Sequence, residues 1–157
     1  MRFTGERDLA TPVEQVWEAL HDREVLRRAI PGCEDLVPLG AGRFAATLAV
    51  RVGPVADVYR GTFTIDDLRD SEALVVRIEG RGRFGRLEVD LQVGLVESSA
   101  GGSSLRYDAH ATVGGFVARV GSSTMSVVGG HLTGVFFRDL DRSLRQRVRS
   151  GRVPELV

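Results

Sequence analysis

The sequence predicts an α+β domain in which a curved antiparallel sheet is wrapped around a long C-terminal helix, with two short helices after the first strand. Three observations carry that expectation. Apolar and polar residues alternate through five successive runs between residues 43 and 113, the period that sends side chains to opposite faces of a sheet. Beyond them, Val117, Met125, Val128, Leu132, Val135, Phe136, Leu140, Leu144 and Val148 recur at the three- and four-residue spacing of one helix face. Ahead of the alternating runs, Thr11-Pro12-Val13-Glu14 reads as the start of a helix.

Taken in order, residues 2–9 form a short first strand. Thr11 caps the helix that follows, Pro12 suits its first position because no N–H is needed there, and Glu14 stands where a capping box places its acid. Val13, Val16, Trp17 and Leu20 share its inner face. A second helix spans 22–29 with Val25 and Leu26 inward, and Pro31-Gly32 ends it. The first alternating run places Phe44, Ala46, Leu48, Val50 and Val52 together, and Gly53-Pro54 breaks it. The run 55–68 aligns Tyr59, Gly61, Phe63 and Ile65. Leu74, Val76 and Ile78 follow, then Leu87, Val89, Leu91, Val93 and Leu95 against Glu88, Asp90 and Gln92. Leu105, Tyr107, Ala109, Ala111 and Val113 close the meander, opposite Arg106, Asp108, His110 and Thr112. Short turns between such runs imply antiparallel pairing with one covered and one solvated face.

The cover is the helix expected over 114–148, entered through Gly114-Gly115. The two N-terminal helices are too short to shield so wide a sheet. This order of elements is the helix-grip arrangement, in which the sheet wraps around the last helix and leaves a cavity between them. The helix carries Gly121, Gly129, Gly130 and Gly134, although an interior glycine costs about 1 kcal/mol relative to alanine. Close packing on the sheet would explain them, and so would space for a ligand. With the charged residues of the sheet turned outward, Ser122, Ser123, Ser126, Gly129, Gly130 and Thr133 are expected to form a cavity floor beside Met125, Val128 and Leu132.

A chain of 157 residues fits one domain, expected over 1–150 with a frayed tail at 151–157. Twenty-one basic residues balance 21 acidic ones, so no overall field favours nucleic acid or an anionic membrane. The single cysteine, Cys33, permits no internal disulfide and is read as a structural thiol in a turn. Charges at the N-terminus and the absence of a roughly 20-residue apolar run predict a cytoplasmic protein.

Chemistry-bearing motifs are few. The string Gly80-Arg81-Gly82-Arg83-Phe84-Gly85 matches G-x-G-x-x-G, but a strand follows where a dinucleotide site needs a helix. It reads as a glycine-rich hairpin near the cavity mouth, with Arg81, Arg83 and Arg86 available to an acidic partner or lipid headgroups. His21, His110 and His131 lack metal-ligand spacing, and no metal or cofactor is expected. Asp108 and His110 lie on the solvated face by parity, as do Arg77, Glu79, Glu88 and Asp90. Tyr59, Tyr107 and His131 are the candidates for any catalysis inside. Arg138, Arg142, Arg145, Arg147, Arg149 and Arg152 suit the C-terminal end of a helix dipole, or a basic docking patch. The expected ligand-binding set is Phe44, Leu48, Tyr59, Phe63, Val76, Ile78, Phe84, Leu91, Tyr107, Met125, Val128 and Leu132. A cavity so lined suits a hydrophobic small molecule.

The segments Ala10-Thr11-Pro12-Val13-Glu14-Gln15-Val16-Trp17, Ile30-Pro31-Gly32-Cys33-Glu34, Val52-Gly53-Pro54-Val55 and Val113-Gly114-Gly115-Phe116, with Gly5, Gly80, Gly82, Gly85, Gly121 and Phe136-Phe137, resemble the CoxG family of carbon monoxide dehydrogenase subunits. That family sits within the START-related, Bet v 1-like (SRPBCC, polyketide cyclase/dehydrase) superfamily. The resemblance implies a hydrophobic cavity and an accessory role toward molybdenum-containing carbon monoxide dehydrogenases or related hydroxylases, through membrane recruitment or quinone coupling. Some relatives carry a long C-terminal extension. Ending at Val157, soon after the long helix, this sequence fits delivery of a lipophilic molecule such as a quinone or isoprenoid lipid, or transient contact with the inner face of the membrane, better than stable attachment. The wider superfamily includes cyclases and dehydratases, which keeps an enzyme of that type as the alternative.

Overall fold

The computed structural model describes residues 1–52 and 54–149, with side chains at all of these except 52, 55, 122, 148 and 149. The elements are β1 (Arg2–Leu9), α1 (Val13–Leu20), α2 (Arg23–Ala29), β2 (Cys33–Gly40), β3 (Arg43–Val52), β4 (Val55–Arg69), β5 (Ala73–Arg81), β6 (Gly85–Glu97), β7 (Ser103–Gly115), a 3-10 helix (Phe116–Val120) and α3 (Ser122–Arg149). Seven antiparallel strands pair in the order β1-β7-β6-β5-β4-β3-β2. The first strand therefore joins the last, and the concave face encloses α3 in the expected helix-grip fold.

Alternation sets the register. Phe63 pairs with Phe44 and Ile78, and Leu91 with Val76 and Ala109, so inward side chains line up across the sheet. Gly61 lies opposite both Ala46 and Gly80, a row of small residues where neighbouring backbones close up. A Cβ at 61 would overlap the Glu79 carbonyl, so the close approach of the strands here requires glycine. The core gathers under α1, α2 and the C-terminal half of α3, where Val16, Ala19, Ala29, Leu36, Leu140 and Leu144 are sealed. Arg147 of α3 pairs with Asp22, which also caps α2 by accepting from the Glu24 and Val25 amides.

Four local expectations need correction. The strand β2 has no counterpart among the elements expected from sequence. Only Leu36 of its eight residues is buried and it carries Pro38, a composition tolerated on this edge strand and lacking a period-two signal. Cys33 accordingly lies in a strand rather than a turn. Thr11 does not cap α1: the residue before its first turn is Pro12, and the buried Thr11 offers its carbonyl to the Ser103 hydroxyl at 2.8 Å. The long helix starts at Ser122. Gly114-Gly115 end β7, and Gly115 and Gly121, at φ +80° and +95°, bracket the 3-10 helix with a backbone that favours glycine. The expected tail at 151–157 and the break at Gly53 lie outside the described residues.

Candidate functional site: an apolar cavity

Between the concave face and α3 lies a cavity of about 350 Å³, within the roughly 300–1,000 Å³ span of small-molecule pockets. Most of its wall comes from the inward parity of four strands, Tyr59, Phe63 and Ile65 of β4, Leu74, Val76 and Ile78 of β5, Leu87 to Val93 at alternate positions of β6, and Leu105 to Val113 at alternate positions of β7, with Phe3 of β1 and Val50 of β3 beside them. The helix contributes Met125, Val128, Gly129, Leu132, Thr133, Phe136 and Phe137. Among the described residues no Asp, Glu, Lys, Arg or His side chain lines it, and the polar side chains in the lining are Tyr59, Tyr107 and Thr133.

The Thr133 hydroxyl donates to the Gly129 carbonyl at 2.8 Å and is satisfied. Tyr107 stacks against Phe137 at 5.5 Å and lies over Gly5, where a Cβ would overlap its hydroxyl. Neither tyrosine hydroxyl bonds another described residue, and neither is sealed away. Each hydroxyl is therefore open to solvent or to a guest in the cavity. Burial, and secondarily the charge of Asp57, pushes the Tyr59 phenol above its ordinary pKa. At neutral pH it is a donor.

One end of the cavity is closed by Leu20, Leu26, Leu74 and Leu105, all 7% exposed or less. At the other end, Met1, Val50, Leu87, Val113, Met125 and Val128 face inward yet stay partly exposed, which marks the opening. The β5–β6 hairpin and the 3-10 helix form its rim. Asp57 accepts from the amides of Val58, Arg83 and Phe84 at 2.8–3.1 Å, which holds its carboxyl below the usual range and fixes the hairpin. The Val117 amide donates to the Phe84 carbonyl at 3.0 Å, and the Phe84 and Phe116 rings meet at 6.3 Å.

Of the twelve residues expected to bind ligand, Tyr59, Phe63, Val76, Ile78, Leu91, Tyr107, Met125, Val128 and Leu132 line the cavity. The other three do not. Phe44 packs edge-on against Phe63 at 6.1 Å, Leu48 is half-buried on β3 outside the lining, and Phe84 is 38% exposed on the rim. His131 is exposed on the far side of α3. The floor is also smaller than expected: Gly129 and Thr133 line the cavity, whereas Ser123, Ser126 and Gly130 are exposed and Ser122 has no described side chain. At 129 a Cβ would overlap the Phe3 ring, so that glycine serves close packing of β1 on the helix.

Outside the cavity, Asp108 pairs with Arg2 at 3.0 Å and His110 at 3.5 Å on the solvated face, as parity indicated. Cys33 donates its thiol to the Asp35 carbonyl at 3.4 Å, and partial burial raises its pKa. Arg138, Arg142 and Arg145 pair along α3 with Asp139 and Asp141, while the Arg149 side chain and Arg152 lie outside the described residues. Among the described residues no three His, Cys, Asp or Glu side chains gather as a metal site requires. Lining residues beyond the expected set also come from the helices α1 and α2 and the turn after them, as Leu20, Leu26, Ile30 and Pro31. Leu87, Val89, Val93 and Val113 carry the same parity signal as their predicted neighbours, and Phe136 shares the helix-face spacing; Phe3 and Phe137 join through the sheet's closure on the helix.

Solved structures share this architecture. A conserved protein from Geobacillus kaustophilus superposes with a TM-score of 0.89 at 24% identity, covering 94% of this chain and 97% of that one. A START superfamily protein from Mycobacterium smegmatis gives 0.73 at 10% identity, with 92% and 97% covered. The Zhui aromatase/cyclase from Streptomyces sp. R1128 gives 0.69 at 15% identity, with 96% and 97% covered. At these identities the likeness is one of fold. No curated protein matches the chain. Family membership rests on sequence instead: the pattern that describes the CoxG subunit of carbon monoxide dehydrogenase matches residues 5–145, a stretch running from β1 to the last turns of α3, and the chain belongs to the CoxG family.

Proposed function

We propose that this protein is a non-catalytic carrier of a hydrophobic small molecule, a quinone or similar isoprenoid lipid, and acts as accessory to a molybdenum-containing carbon monoxide dehydrogenase or related hydroxylase. The observation that carries the reading is the cavity: about 350 Å³, open at one end, with no charged side chain among the described residues of its lining. Burying an apolar ligand there is favourable by about 25 cal/mol per Å² removed from water. The Tyr59 hydroxyl supplies the polar contact, donating to a ligand carbonyl. The family supports the partner, and the closed, leucine-lined end favours a ligand that enters from the open one.

A cyclase is the second reading, favoured by two phenols in the cavity and by the likeness to an aromatase/cyclase. Proton abstraction needs a base within hydrogen-bond reach. With His131 outside and the Tyr59 phenol held protonated by burial, no Asp, Glu or His among the described lining residues supplies one. The test is organic extraction of the natively purified protein, followed by mass analysis. A co-purifying lipophile in near-equal amount to protein is expected. Absence of any lipophile, together with no uptake of added short-tail quinone, would overturn the carrier reading.

A further inference from the structure

On the sheet face opposite the cavity, three arginines stand in one cross-strand row. Arg60 of β4 pairs in register with Arg81 of β5, and Arg81 with Arg86 of β6. Residues so opposed have Cβ atoms about 5 Å apart, and like charges in such pairs repel. The next outward row holds Glu79 and Glu88, yet among the described residues neither forms an ion pair with these arginines. One row further, by contrast, Arg77 meets Asp90 at 3.4 Å. The arginine row borders a shallow hollow of about 730 Å³ between the β3–β4 and β5–β6 hairpins. Arg51, Arg60, Arg81 and Arg83 line it, and none of the four has an ion-pair partner among the described residues. Ala49, Ala56 and Val58, at outward positions of β3 and β4, add short apolar side chains to the lining. The one carboxylate there, Asp57, is committed to three backbone amides. Arg86 is turned aside, its side chain lying over Gly114.

We propose that this hollow is a binding site for a soluble polyphosphate of two or more phosphates. Guanidinium groups stay charged at any physiological pH and match phosphate oxygens in bidentate geometry. Arg51, Arg60 and Arg81 belong to three adjacent strands, so their backbones span two strand spacings, about 10 Å. That reach exceeds a single phosphate and suits a chain of two or three. A bound polyanion also relieves the repulsion that the register builds into the row. A bilayer or an acidic protein face presents anionic groups too, but each is a broad surface. The short side chains between these arginines leave depth that a small ion can enter. The site lies outside the apolar cavity and is independent of the carrier reading.

The test is isothermal titration calorimetry of the full chain with inorganic pyrophosphate, and with orthophosphate for comparison. Pyrophosphate is expected to bind one to one and about ten-fold or more tighter than orthophosphate, the effect of one added hydrogen bond between charged groups. Arg60→Gln and Arg81→Gln, each checked for folding by circular dichroism, should weaken it by about the same factor. Arg77→Gln, on the same face but paired with Asp90, should leave it unchanged. At about a hundred times its Kd, pyrophosphate should raise the Tm of the natural chain by about 5–10 °C, and that of the two site variants by clearly less. No heat with pyrophosphate, equal affinity for the two anions, or an equal loss in Arg77→Gln would overturn the proposal. So would binding of phosphatidylglycerol vesicles or of a poly-glutamate peptide through Arg60 and Arg81 that pyrophosphate does not compete away.

Discussion

At the scale of single residues, the glycines separate into those the fold needs and those it tolerates. Gly61 has the Glu79 carbonyl where a Cβ would go, whereas Gly130 and Gly134 on α3 have open space there. Gly134→Ala should therefore stabilise the protein by up to about 1 kcal/mol, raising the melting temperature about 2–4 °C. Gly61→Ala should lower it, by about 1–3 kcal/mol of overpacking against backbone that has no rotamer to change. Differential scanning calorimetry of both variants checks the contrast. Tyr59 carries a pH prediction. Because its folded pKa is raised above that of a free tyrosine, about 10, the folded state keeps a proton that the unfolded chain has lost as pH rises past that value. The stability it contributes is whole below pH ~10 and is lost above it. Urea unfolding from pH 8 to 11 should show this decline, and Tyr59→Phe should reduce it. Parity along the strands reveals Tyr59 and Tyr107 as inward. The same reasoning fails at His131, because the small residues Ser123, Ser126 and Gly130 and the exposed Val127 on the outer face of the helix's first half weaken the contrast that tells one side from the other.

At the scale of elements, α3 does two jobs along one stripe. Its C-terminal half is core, with Leu140 and Leu144 at 0% and 1% exposure, and its N-terminal half is a cavity wall in which Met125, Val128 and Leu132 remain partly exposed. Leu140→Ala should cost about 2–5 kcal/mol, since sealed neighbours relax little around a new void. Leu132→Ala should cost clearly less, because its side chain already borders empty space and its loss enlarges a cavity that exists. Chemical denaturation of the two variants measures the difference. The strands with strict alternation, β3 to β7, are legible because burial on one face imposes a period of two. The edge strand β2 is not, since one buried residue in eight leaves no period to read. The start of α3 reads too early for a related reason. Val117 fits the helical stripe and is buried, but Gly121 at positive φ interrupts the chain between them.

For the whole molecule, the sheet's closure through β1 pairing with β7 makes the cavity, and no local pattern announces that pairing. Phe3 reaches Gly129 only because the first and last strands are neighbours. The charge-free lining is nonetheless implied by composition along each strand, where the titratable set falls on the outward parity. If this space holds an apolar guest, filling it must expel that guest. Ala109 faces the cavity from β7, and Ala109→Trp puts an indole into the space the guest would occupy. The decisive comparison is of lipophile extracted from the natural protein with that from Ala109→Trp, both purified without detergent and shown to be folded by circular dichroism. A lipophile is expected with the natural chain and should be lost from the variant; equal recovery from both, or none from either, would mean that the cavity carries no such guest.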